Sequence, residues 1–220
     1  MKRFRFEVTL AAVFLLLFAA FWLWQTPGWI RGKLSTPEID AYIVAIEQNL
    51  VAPDALKQRA IADLRAWAER DDGKPVFMLN LMRYYAQVQP FPGIEDFHGS
   101  PAEANAHYEG RVIPIALADG DYPIYGGATQ GQNLFGHDPG ADDWNRILLM
   151  RYPSRRHFLR LLSNPAYGPL FPYKLAALEL SLVPTTAQLV LPDLRFAFGA
   201  ALLVIFLAIG WLRAVRAAGR

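Results

Sequence analysis

The stretch Pro75–Tyr85, PVFMLNLMRYY, has the length and β-branched or aromatic content of a strand, yet both of its faces are greasy. Odd positions carry Phe77, Leu79, Leu81, Arg83 and Tyr85; even positions carry Val76, Met78, Asn80, Met82 and Tyr84. A strand with one wet face alternates apolar with polar, so this one predicts cover on both sides. Residues 144–152, WNRILLMRY, repeat the pattern, with Ile147 and Leu149 against Leu148, Met150 and Tyr152.

Helical spacing frames these strands. Thr36 as N-cap and Pro37 at the first helical position open a helix with Ile39, Tyr42, Ile43, Ile46 and Leu50 on one side. A second helix follows the Pro53-Asp54 break, with Leu56, Ala60, Leu64, Trp67 and Ala68 aligned, and stops at Asp71-Asp72-Gly73. Ala104, Tyr108, Val112 and Ile115 mark a helix over 101–118, in which Pro114 predicts a kink or an early end. Residues 122–134 suit a strand broken by glycines. Ser154 caps a helix that buries Phe158, Leu161 and Leu162 and ends at Asn164-Pro165, and 179–190 supply a last strand.

The predicted class is α+β, with the order β-α-β-β-α-β of a ferredoxin-like antiparallel sheet whose helices lie on one face. The second face then needs its own cover. The simplest is a second copy, sheet against sheet, in a symmetric homodimer.

At the two ends the pattern disappears. Val8–Trp24 and Phe196–Leu212 are uncharged runs of 17 residues each, near the lower limit for crossing a bilayer. Trp22, Trp24, Trp29 and Trp211 stand where interfacial aromatics belong. Both runs are expected to be transmembrane helices. A cleaved leader is the rival for the first, but FWLWQTPGW places bulky rings where small residues are needed. The domain reading is 1–30 tail and first span, 31–73 helical linker, 74–190 ferredoxin-like domain, and 191–220 second span and basic tail.

Composition sharpens this picture at two points. The 53% hydrophobic content reflects the terminal runs, and the absence of cysteine removes disulfides and thiolate chemistry. Of the formal net charge of +2, Lys2, Arg3, Arg5 and Glu7 give +2 and Arg213, Arg216 and Arg220 give +3, leaving −3 between. Basic tails stay cytoplasmic. In a bacterium this places the protein in the inner (cytoplasmic) membrane, with both termini in the cytoplasm and the central domain in the periplasm. The bilayer is then the expected partner, and a charge balance confined to tails gives no reason to expect nucleic acid.

Three quoted stretches, VFMLNLMRYY, HYEGRVIPIALADGDYPIYGG and WNRILLMRYPSRRHFLRLLSNPAY, resemble the dimeric α+β barrel superfamily, over about residues 75–183. The nearest branch is one of small uncharacterised domains with no established catalytic residues to transfer. The resemblance implies a ferredoxin-like, dimeric fold. Its other branches include cofactor-independent monooxygenases and heme-degrading and chlorite dismutase-like proteins. The heme degraders use an Asn, a His and a Trp, residue types present here as Asn80, His107 and Trp144 but not aligned by a family motif.

Candidate chemistry is sparse. A buried Asn80 must find partners at a cost of about 1–3 kcal/mol if it fails; it is either satisfied structurally or a donor to a ligand between helices and sheet. Arg83, on the opposite face, pairs with an acid such as Glu179 or binds an anion. His107 as base and Tyr108 as donor form the candidate catalytic pair, with Arg111 one turn on from His107. Gly126 and Gly127 mark a bulge or a close ligand approach. These, with Trp144, are the candidate ligand-binding residues, and the expected ligand is small and apolar or aromatic.

HDPGADD offers His137, Asp138, Asp142 and Asp143, but matches no calcium-loop template and reads as solvated. Arg155, Arg156, His157 and Arg160 read as a solvent-facing basic helix side. No metal or cofactor is expected, and neither HExxH nor GxSxG occurs. Whether the protein is an enzyme is open: an apolar-ligand binder, a cofactor-independent oxygenase or isomerase, and a docking domain without ligand all fit.

Overall fold

The computed structural model describes residues 2–190 and 193–219; Leu191, Pro192 and Arg220, which the sequence reading includes in the second span and its basic tail, lie outside them. The chain divides into two compact units, one made of residues up to Ile30 together with those from Gln188, the other of Arg31–Ala187.

The first unit contains α1 (Lys2–Gln25) and α8 (Leu194–Ala218), with the short α2 (Gly28–Arg31) at its boundary. Within α1 and α8, Arg5–Gln25 and Leu194–Ala218 are long and apolar enough to cross a membrane. They run antiparallel, since early residues of one meet late residues of the other. Phe21 stacks on Phe198 at 4.3 Å, Phe14 meets Phe206 at 6.5 Å, and Glu7 lies 3.7 Å from Arg213. Gly199 permits this approach, because a Cβ there would sit 2.8 Å from Phe18 Cε2.

The second unit begins with α3 (Thr36–Asn49) and α4 (Asp54–Ala68), followed by β1 (Val76–Tyr84), α5 (Pro101–Ala118), β2 (Tyr122–Ala128), β3 (Arg146–Tyr152) and α6 (Arg155–Ser163). A 3₁₀ turn (Gly168–Leu170), α7 (Phe171–Ala177) and β4 (Leu178–Thr185) complete it. The four strands form one antiparallel sheet in the order β2-β3-β1-β4.

Helix ends are set by local chemistry. Ser35, one residue earlier than expected, caps α3 in a capping box with Glu38, because its backbone is extended while Thr36 is already helical. Ser100 and Glu103 make the same reciprocal pair at α5. Pro114 does not end α5. It is exposed, and the helix continues to Ala118. β2 stops at Ala128, short of the expected 134, and β4 at Thr185, short of 190.

The core fills the space between one sheet face and the helices. Val76, Met78 and Met82 of β1 and Leu148, Met150 and Tyr152 of β3 meet Ala104, Tyr108, Val112 and Ala116 of α5 and Phe158, Leu161 and Leu162 of α6. Each large side chain so buried contributes about 1.5–3 kcal/mol. Ile39, Ile43 and Ile46 of α3, and Leu50 just after it, join the same core, so the two early helices belong to this unit.

The basic side of α6 departs from expectation. Arg156 and His157 are buried, because α3 packs over that face of α6. Arg156 reaches Glu38 at 3.1 Å and donates to the carbonyls of Gly32 and Lys33. With its ion pair and carbonyls in place, the guanidinium is buried without being unsatisfied.

Candidate functional site

The sheet face toward the helices does not pack solid. A cavity of about 460 Å³ lies among β1, β3, β4 and helices α4 to α7, within the size range of small-molecule sites. Its walls are mainly apolar, with Leu64 and Trp67 from α4, Val112 from α5, Phe158 from α6, and Met78 and Met150 from the sheet. The polar groups are few: Asn80, Tyr108, Glu109, Tyr152, Tyr167 and Lys174, with the exposed Asp63 of α4 and Arg70 just after it at the lining as well.

Asn80 occupies the middle of β1, opposite Leu148 and Leu182, so its side chain turns inward with Met78 and Met82. Its amide donates to the carbonyls of Met78 (3.1 Å) and Leu148 (3.2 Å), and its Oδ1 accepts from Lys174 Nζ at 2.8 Å. Lys174 is buried on α7, in a short helix held to the chain after β1 by Tyr85 N–H donating to Ala177 O and Gln89 N–H to Ala176 O. Burial lowers its pKa from the ordinary lysine value to about 8, with Arg146 pushing the same way and Glu109 opposing. Its ammonium also stands 5.2 Å from the Tyr108 ring centre.

Tyr108 and Tyr167 pair through their hydroxyls at 3.3 Å. Burial holds both phenols above their ordinary pKa, Tyr167 at about 12, so both are neutral donors in the physiological range. Glu109 is bound by Arg146 at 2.5 Å and by Asn105 at 3.2 Å.

The sequence candidates therefore separate. Asn80 and Tyr108 line the cavity; His107, Arg83, Arg111, Gly126, Gly127 and Trp144 do not. His107 stacks on Tyr173 at 4.2 Å, and partial burial and Arg111 lower its pKa. Arg111 is exposed, and its Nη1 donates to the His107 carbonyl at 3.4 Å. Arg83 lies on the opposite sheet face, where its Nε donates to Glu179 at 3.1 Å and its guanidinium to Gly140 O at 2.8 Å. Gly126 borders a shallow surface pocket with Ile113 and Arg146, and a Cβ at Gly127 would press on the Tyr125 hydroxyl at 2.8 Å. The Trp144 carbonyl accepts from Thr129 Oγ1.

His137, Asp142 and Asp143 bring ligand atoms within 4.8 Å of one another. The imidazole faces both acids, at 2.6 and 3.4 Å, in a partly exposed loop.

Lys174 was missed by the sequence reading, as was α7. The signal was a lone charge inside the apolar stretch PLFPYKLAAL.

No family model matches the chain, and no curated protein matches it. Among solved structures it is similar to the crystal structure of RPA0582, a protein of unknown function from Rhodopseudomonas palustris. Identity is 23%, covering 64% of this chain and 98% of that one, with a TM-score of 0.52. Methylated RPA0582 matches at 24% identity over 60% and 91%, TM-score 0.49. SnoaB, a cofactor-independent oxygenase from Streptomyces nogalater, matches at 16% identity over 55% and 99%, TM-score 0.35. At these identities the likeness to RPA0582 is one of fold, an α+β unit on a four-stranded antiparallel sheet.

Proposed function

We propose that this chain is a membrane-anchored binding protein that holds one small, mainly apolar or aromatic molecule between its sheet and helices. The observation that carries the reading is the apolar cavity of about 460 Å³ with a few fixed polar groups. Solid packing is the rule in protein interiors, so a void of this size lined by Leu, Met, Trp and Phe has a use. The strand order supports the ferredoxin-like, dimeric α+β barrel-type assignment. The antiparallel pairing of α1 and α8 supports a two-span anchor with both termini on one side. The basic tails favour the cytoplasmic side for them and the far side of a bacterial inner membrane for Arg31–Ala187. Mass spectrometry of extract from protein purified in native lipid tests the reading. A stoichiometric small molecule absent from a cavity-filling Val112→Trp variant supports it, and no co-purifying molecule together with no binding of an apolar dye refutes it.

A second copy as partner is favoured by the outer sheet face. There Leu79, Leu81, Ile147 and Leu149 are only partly buried and Val183 is exposed. A two-fold dimer buries the same patch of both copies, so one apolar strip would serve on each side.

The oxygenase or isomerase reading draws less support, because His107, its base, does not line the cavity that Tyr108 and Asn80 share.

A further inference from the structure

Lys174 is the one lysine lining the cavity, and its surroundings leave its charge unbalanced. Among the described residues its ammonium has a single hydrogen-bond acceptor, Asn80 Oδ1 at 2.8 Å, and it forms no ion pair. An ammonium has three N–H donors, so Asn80 and the Tyr108 ring face leave donors unsatisfied. Glu109, the acid whose charge acts on Lys174, is not hydrogen-bonded to it and is already held by Arg146 and Asn105. A buried cation without a partner is costly, and the cost disappears when a negative charge arrives.

We propose that Lys174 is the anion-recognition point of the cavity, and that its ligand is a compact amphipathic monoanion with an apolar body and one carboxylate-type head. The inference rests on the ligand-binding reading above and specifies the ligand's chemistry. Two oxygens of the head accept from Lys174, and Asn80 orients the ammonium from the strand side. The body lies against Met78, Val112, Met150 and Phe158. Polyanions such as nucleotides are disfavoured: Lys174 is the one buried cation among the described lining residues, Arg70 being exposed, and it cannot compensate several charges in a mainly apolar chamber. A neutral analogue fills the same volume and leaves the cation unpaired, so it binds more weakly.

The test uses the full chain in lipid nanodiscs, with empty nanodiscs as reference, and two probes of one shape, 2-naphthoate and 2-naphthylmethanol. At pH 6.5 the carboxylate binds at least about tenfold tighter than the alcohol. That preference falls as pH rises through about 8, the pKa of the free Lys174, at up to about tenfold per unit, while alcohol binding stays level. In Lys174→Gln the preference shrinks to about twofold or less with the alcohol affinity retained. Equal binding of both probes by the wild type overturns the anion inference and leaves the cavity reading standing. Failure of both probes to bind overturns both. A preference that persists unchanged across the pH range, or in Lys174→Gln, removes Lys174 from the role even if the variant folds poorly, because the wild-type pH profile decides independently.

Discussion

Lys174 Nζ and Asn80 Oδ1 meet at 2.8 Å across 94 positions of sequence, joining α7 to the middle of the central strand β1. The same amide donates to two strand carbonyls, so Asn80 is fully engaged without a ligand. Its primary effect is on the lysine. Replacing Asn80 by Leu leaves the buried ammonium with no acceptor. The expected result is a loss of about 1–3 kcal/mol in urea unfolding at pH 7, with a Lys174 pKa below that of the wild type by NMR titration. Asn80→Asp should raise that pKa instead, because it supplies the missing opposite charge. A lysine that titrates identically in all three proteins would show that the contact has no electrostatic consequence.

The close approach of Gly168 to Asn49 makes a second, purely steric prediction. A Cβ at Gly168 would lie 2.0 Å from the Asn49 carbonyl oxygen, the last residue of α3, where Asn49 Nδ2 also donates to Ser163 O. The obstacle is backbone held by a helix end, so it cannot swing aside as a side chain would. Gly168→Ala is expected to destabilise the central unit by about 1–3 kcal/mol or more, whereas Gly110→Ala, with nothing within 4 Å of the added carbon, should be neutral or stabilising because it removes a glycine from a helix. Thermal melts of the two variants side by side provide the comparison.

Stability against pH should be a plateau with two falling limbs, and two buried groups account for much of its shape. His157 is held near pKa 3 by burial and the surrounding arginines, below its ordinary 6.5, with Ser154 Oγ 2.9 Å from its Nδ1. The unfolded chain therefore binds a proton that the folded one refuses, and stability falls as pH drops from about 6.5 toward 3. Asp121 is the opposite case. It is fully buried, neither carboxylate oxygen has a hydrogen-bond partner among the described residues, and burial followed by Asp119 raises its pKa to about 8. The folded state holds that proton, so stability falls as pH rises from about 4 through 8. Between about 4 and 6.5 the two effects oppose and the curve is flat; between 6.5 and 8 only Asp121 acts. Asp121→Asn should flatten the alkaline limb, and His157→Gln should make the acid one shallower, leaving the part due to Glu38, whose pKa the Ser35 backbone N–H and Arg156 hold at about 2. Urea midpoints measured from pH 3 to 8 on the three proteins decide it.

What was legible in the sequence follows from how local each signal is. The doubly apolar runs located β1 and β3, the two inner strands, because a strand's side-chain period is short enough to read in nine residues. Caps and prolines placed α3, α5 and α6 within a residue or two. Asn80 stood out as a lone amide on an apolar face. Arg156 and His157 did not, because their burial comes from α3, more than 100 positions away, and a basic helix side carries no trace of what will cover it. Lys174 was obscured by α7 itself, seven residues after a Pro- and Gly-containing turn, too short for a helical period to emerge. His107 and Tyr108 adjoin in sequence, but neighbours on a helix point about 100° apart, so only Tyr108 reaches the cavity.

The outer face of the sheet supplies the last prediction. Leu149 sits opposite Leu79 on β1 and Tyr125 on β2, and Val183 of β4 continues the row, so one cross-strand stripe runs over all four strands. Leu79 and Leu149 are part-exposed, while Val183 and Tyr125 are 40% and 54% exposed. Arg83 and Glu179 pair beside this apolar stripe, and a charge pair satisfied within one chain can border an interface without needing a partner group. If a second copy covers the stripe, Leu149→Glu buries an unpaired carboxylate in each half of a symmetric contact. Association should then weaken by at least about tenfold, since two-fold symmetry repeats every defect. The fold should hold, because Leu149 points away from the core that carries Leu148 and Met150. Light scattering and analytical ultracentrifugation of the full chain in detergent read the association, and far-UV circular dichroism checks the fold. Equal dimer fractions in wild type and Leu149→Glu would exclude the stripe as the contact, and a wild type that stays monomeric at all concentrations would exclude the dimer.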